Sequence, residues 1–148
     1  PFLENSEVII EYTQTEPFVY MNSDNVQLYT SHDYQLGHWI GSNADHFYFS
    51  YKQWVIRGLM VDVWGEYVRK GQTELPEQQY NSPYPNVLYG PRFTMKSAGI
   101  EIRYEVYRNV FGRLFYNYSD IIDEEPGRTP GFKIGSNSIF GFLVSYGM

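Results

Sequence analysis

The chain has 148 residues, no cysteine, and 17 acidic against 11 basic side chains, for a formal net charge of −6. This length suits one domain with a sizeable core. The lack of cysteine excludes a disulfide framework and a thiolate metal site, and an acidic balance without a basic stripe argues against nucleic acid as a partner. Aromatic residues form 19% of the chain and tyrosine alone supplies 15, a load that membrane β-barrels carry at their two water–lipid boundaries. No run of about 20 apolar residues is present to cross a bilayer as a helix. The mildly negative mean hydropathy does not oppose a barrel, whose strands turn only alternate side chains to lipid. The first residue is Pro1, so the expectation is that a processed segment or a further part of a longer protein precedes it.

Six segments alternate at period 2, and none sustains a helical period. In the first, Val8, Ile10 and Tyr12 oppose Glu11, Thr13 and Thr15, with Phe18 and Tyr20 expected to rejoin the apolar side. The second sets Phe47, Phe49 and Tyr51 against His46, Ser50 and Lys52, and the third sets Leu59, Val61, Val63, Gly65 and Tyr67 against Asp62, Glu66 and Lys70. The fourth is the cleanest: Ala98, Ile100, Ile102, Tyr104 and Val106 oppose Glu101, Arg103 and Glu105. In the fifth, Gly112, Leu114, Tyr116 and Tyr118 oppose Arg113, Asn117 and Ser119. The sixth ends the chain with Phe140, Phe142, Val144, Tyr146 and Met148 on one face and Gly141, Ser145 and Gly147 beside Leu143 on the other.

The links alternate in length. Short ones lie around Val55-Ile56-Arg57 and Arg108-Asn109-Val110, and long ones run from about 21 to 43, 71 to 92 and 121 to 137, rich in Gly, Pro, Asn and Asp. Short turns on one side and long loops on the other are the pattern of outer-membrane barrels. The expected fold is therefore all-β, an antiparallel up-and-down transmembrane β-barrel segment spanning residues 1–148, with periplasmic turns and extracellular loops. Tyr20, Tyr67, Tyr118 and Phe140 are expected to form the girdle at the long-loop side, and Tyr104 and Tyr146 the other. Six strands fall short of the eight of a small closed barrel. Either a further hairpin lies within 21–43 or, the preferred expectation, these are the C-terminal strands of a larger barrel. An unpaired first strand in lipid would otherwise cost several kcal/mol per backbone group. The same alternation also fits a soluble sandwich or a lipocalin-like barrel with its apolar faces inward.

Asp62, Glu66, Glu101, Arg103, Glu105 and Arg113 share the polar face of the third to fifth segments. Carboxylates and guanidinia placed together pair with one another, giving a salt-bridged lumen, a selectivity lining or a sugar-binding wall. Paired acid and base carboxylates of a glycoside hydrolase would need a cross-site separation that spacing along a strand does not establish. His32, Asp33, His38, Asp45 and His46 cluster in and after the first loop, but their spacing matches no metal motif, and a solvated loop is expected. In the run 36–43, glycines flank His38 and Trp39, indicating a folded loop with Trp39 as anchor or as a stacking platform for a sugar ring. In the second loop, Tyr80, Tyr84 and Tyr89, stiffened by Pro83 and Pro85, suit a sugar or a packing surface. The third loop, 120–127, is acidic and expected to be solvated or decorated with cations. Asn117-Tyr-Ser119 matches a glycosylation acceptor but lies within a strand. No phosphate loop, nucleophile elbow or Ser/His/Asp arrangement is present, so neither catalysis nor a cofactor is expected.

The stretch Tyr12-Thr-Gln-Thr-Glu-Pro-Phe-Val-Tyr20, then Gln35-Leu-Gly-His-Trp-Ile-Gly-Ser-Asn-Ala-Asp45 and an aromatic strand, resembles the C-terminal region of Wzi-type capsule-assembly outer-membrane proteins. The resemblance covers about a third of the chain plus its terminal strand. It implies a large barrel in the bacterial outer membrane whose outer end binds or organises surface polysaccharide, with lipid and further barrel-completing chains as partners. It transfers no binding residue. A porin-type diffusion pore and an accessory subunit of an envelope complex are the alternatives within the same fold.

Overall fold

The computed structural model describes residues 4–20, 30–31, 34–35, 37–72, 76–80 and 82–147. Among these residues eight strands form: β1 Ser6–Thr15, β2 Thr30–Ser31, β3 Tyr34–Gln35, β4 Ala44–Ile56, β5 Leu59–Lys70, β6 Phe93–Tyr107, β7 Val110–Asp123 and β8 Gly135–Tyr146. Six of them make one antiparallel up-and-down sheet in the order β1-β4-β5-β6-β7-β8. It is open: among the described residues, β1 pairs only with β4 and β8 only with β7. The six run 10 to 15 residues, about twice the usual length in globular proteins.

Each short turn is two residues, 57–58 and 108–109, at the links expected around 55–57 and 108–110. Gly58 and Asn109 hold the left-handed position in them, at φ 83° and 62°, a conformation that glycine and asparagine adopt most readily. A bulge next to each turn, between Trp54 and Ile56 and between Glu105 and Tyr107, adds right-handed twist. The long loops are 16–43, 71–92 and 124–134, the last shortened because β7 runs on to Asp123 and β8 starts at Gly135. The hairpin sought within 21–43 exists as β2 and β3, but with two residues per strand and in a sheet of its own it adds no strand to the main one.

Register separates the side chains into two faces. One row across the sheet is Val8, Tyr51, Val63, Ile100, Tyr116 and Phe140, and the next is Ile10, Phe49, Gly65, Ala98, Tyr118 and Ser138. Between the row of Tyr12, Phe47, Tyr67 and Lys96 and the row of Leu59, Tyr104, Gly112 and Val144, this face carries no charge. It is also uncovered, with Ile10 65%, Phe142 64% and Val144 59% exposed. The chain exposes 10419 Å², against about 7,900 Å² for a compact globular protein of its mass.

Loops fold over the other face. Ile40, buried to 1%, sits on Ala44 and Val68 with Phe93 and Met95 beside them, forming a small core at the long-loop end of the polar face. Phe18 and Tyr20 pack among loop residues and do not return to the apolar face as expected. β1 stops at Thr15, and Phe18, in a turn at φ 62°, is buried to 3%. Tyr20 lays its ring over Gly37 and accepts a hydrogen bond from the His38 N–H at 3.0 Å, so it is no girdle residue.

Candidate functional site

The centre of the polar face is an ion-pair network. Glu101 is the hub: it accepts from Arg103 Nη2 at 3.2 Å and from Arg113 Nη2. Asp62, opposite Glu101 in register, accepts from Ser50 Oγ at 3.3 Å, and Glu66 Oε2 lies 3.5 Å from His46 Nε2. Lys52 reaches back to Glu7 on β1 at 3.3 Å. Glu105 faces the same way but turns to the 108–109 turn, accepting from the Asn109 N–H at 3.3 Å. The six residues chosen from alternation thus share a face. Glu101, Arg103 and Arg113 form one contact group, while Asp62, Glu66 and Glu105 each have another partner.

Aromatics fill the space between these charges by lying flat. Trp64 covers its register partner Gly99 and Phe115 covers Gly141, so close that a Cβ at Gly99 would sit 2.5 Å from Trp64 Nε1. Arg113 stacks on Phe115 with its guanidinium carbon 5.4 Å from the ring centre. Neither Trp64 nor Phe115 was a sequence candidate, because their role depends on a cross-strand glycine that only register reveals.

At the long-loop end, Trp39 is 62% exposed. It stands edge-on to His46, with ring centres 5.0 Å apart, and leans on His38 at 5.9 Å. His46 sits between this indole and Glu66, so an open aromatic surface lies over a histidine–carboxylate pair. Tyr80 is 74% exposed, at the end of the short helix Pro76–Tyr80. Tyr84, by contrast, packs its ring edge-on against Phe18 at 5.9 Å and donates its hydroxyl to the Pro17 carbonyl, and Tyr89 also flanks Phe18. Tyr84 and Tyr89 thus meet at Phe18, and Tyr84 stays 53% exposed. His32 and Asp33 lie outside the described residues. Among those described, no group of three His, Asp or Glu side chains converges on a metal position.

Asn43 joins the loops and was not singled out from sequence. Buried to 1%, it donates from Nδ2 to the carbonyls of Gln72 and Tyr89 at 3.2 and 3.3 Å and accepts from the Leu88 N–H at 2.7 Å. Its carbonyl takes the Gly71 N–H, and a Cβ on Gly71 would lie 2.3 Å from Asn43 Nδ2. The third loop is largely exposed, as expected, except at its start on β7. Asp123, whose side chain is 1% exposed, accepts from Arg128 and from the Thr129 hydroxyl at 2.6 Å, while Arg128 also bonds the Gly71 carbonyl. Burial pushes the Asp123 carboxyl up, but the Arg128, Thr129 and Glu125 N–H hydrogen bonds and the Arg128 charge outweigh it and hold it at about 2. No family model, curated protein or solved structure matches the chain.

Proposed function

We propose that the chain is a six-strand section of an outer-membrane β-barrel wall whose long-loop end binds or organises surface polysaccharide, without catalysing a reaction. One observation carries this reading: across six paired strands, every charge between the two boundary rows falls on one face, and the opposite face is apolar and uncovered. A contiguous apolar surface of that extent belongs against lipid or protein, not water. Strands of 10 to 15 residues suffice for a tilted bilayer crossing, which needs about 9 to 11. Loop packing favours the polar face as the interior, since Ile40 is seated on that side against Ala44 and Val68.

The boundaries suit membrane depth. Above the apolar rows the same face turns charged, with Arg69 bonded to Asp45 at 2.9 Å and Lys96 6.0 Å from the Tyr67 ring centre, as expected where side chains reach headgroups. The open edges of β1 and β8 would be met by strands of other chains or of further parts of the same protein. The sugar-binding part rests on Trp39, whose ring, steadied by His38 and His46 and largely exposed, is a stacking platform beside hydrogen-bonding groups. A diffusion pore is the second reading, favoured by the fixed charges of Glu101, Arg103 and Arg113.

To test this, native envelopes are extracted in detergent, and the intact mass of the species carrying the chain is measured before and after denaturation. A detergent-bound species is expected, and recovery in detergent-free buffer as a monomer refutes the membrane reading. Binding to polysaccharide from the same cells should fall about tenfold in Trp39→Ala. Unchanged binding removes the sugar role, and ion conductance in planar bilayers would then support the pore.

A further inference from the structure

At the short-turn end of the polar face a cavity of about 240 Å³ opens between β6, β7 and β8, lined by Arg103, Phe111, Arg113, Leu143 and Ser145. The two charged side chains that line it are both cationic. Arg103 and Arg113 are direct cross-strand partners, an arrangement that is destabilising for like charges unless an anion lies between them. Among the described residues Glu101 is bonded to both, but neither it nor its cross-strand partner Asp62 lines the cavity. Glu105 does not line the cavity and is held at the 108–109 turn.

We propose that this cavity is a binding site for a small amphiphilic monoanion, a carboxylate on an apolar body. The carboxylate binds the guanidinia of Arg103 and Arg113 and the Ser145 hydroxyl, and the apolar body lies against Phe111 and Leu143. A volume of 240 Å³ equals that of about eight liquid waters at roughly 30 Å³ each, which suits a ligand of one ring. Arg113, stacked on Phe115 and bonded to Glu101 through Nη2, is pre-ordered, so a ligand that meets its guanidinium costs little further rotamer freedom. The site is independent of whether the apolar face meets lipid, so the two readings fail separately.

Calorimetric titration of the full protein in detergent tests it with three probes: benzoate, benzyl alcohol and acetate. Benzoate should bind at least tenfold more tightly than benzyl alcohol, which lacks the charge, and than acetate, which lacks the ring. Arg113→Lys, which keeps the charge but loses the fork, should weaken benzoate about tenfold. Arg103→Gln, at a half-exposed position where folding is not at risk, should do the same. Equal binding of benzoate and benzyl alcohol, no binding of benzoate, or benzoate affinity unchanged in Arg103→Gln overturns the proposal. Benzoate and acetate binding alike reduces the site to a bare counter-ion position and overturns it as well.

Discussion

Replacing Ile100 with lysine places a charge at the middle of the apolar face, flanked in register by Val63 and Tyr116. On β6 this face is bounded by Lys96 and Tyr104, so Ile100 lies about 14 Å along the strand from each at roughly 3.4 Å per residue. At the usual tilt of about 40° that becomes roughly 10 Å of depth, close to the midplane of an apolar band about 25 Å tall. A lysine there costs about 2–4 kcal/mol in a bilayer, or roughly 30- to 700-fold in the folding equilibrium. Ser97→Lys is the matched control: it lies on the polar face opposite Glu66, where an opposite-charge pair changes stability by at most about 1 kcal/mol. Denaturant titration of the protein folded into lipid vesicles reads both. If Ile100→Lys is no less stable than the parent, or Ser97→Lys loses as much, the assignment of the two faces is wrong.

Glu101→Gln should destabilise by about 1.5–3 kcal/mol, because charge-assisted hydrogen bonds to two guanidinia are lost at once. Arg103→Gln should cost less than about 1 kcal/mol at its half-exposed position; the same titration compares them, and the reverse order refutes the hub role of Glu101. Asn43→Ala removes three side-chain hydrogen bonds and a residue suited to φ 52°, so limited proteolysis should cut the loops 16–43 and 71–92 at least tenfold faster while the strands stay protected. Asp123 lies beyond the Lys96–Asp120 row, in the loop layer outside the apolar band. Its folded pKa of about 2 is below the ordinary value near 3.9, so its contribution is complete above about pH 4 and is lost as pH falls through about 2. Nicking of the 124–134 loop should rise over that window in the parent and be high and pH-independent in Asp123→Asn.

Period-2 alternation located all six long strands, because a sheet with one apolar face writes its register into the sequence. It placed Glu101, Arg103 and Arg113 on one face for the same reason. Strand ends were underestimated where both faces are mixed, as in β7, which continues through Asp120-Ile-Ile-Asp123. Phe18 and Tyr20 misled because apolar residues at even spacing look the same whether the strand continues or turns, and the left-handed Phe18 carries no sequence mark. The Asn43 clasp, the Trp64–Gly99 and Phe115–Gly141 pairs and the Arg103–Arg113 cavity join residues from different strands or loops. Their geometry follows from register and loop packing, which one-dimensional spacing does not contain.

The account turns on which face of β6 meets lipid, and the chain's lack of cysteine allows single-cysteine spin labels at each position from Ser97 to Tyr104 except Gly99, where Trp64 leaves no room for a side chain. In vesicles, positions 98, 100, 102 and 104 should be reached by oxygen dissolved in the bilayer, and positions 97, 101 and 103 by a water-soluble nickel complex or by neither agent. The account is contradicted if the even positions are shielded from both agents, as inside a packed soluble core, or are open to the nickel complex.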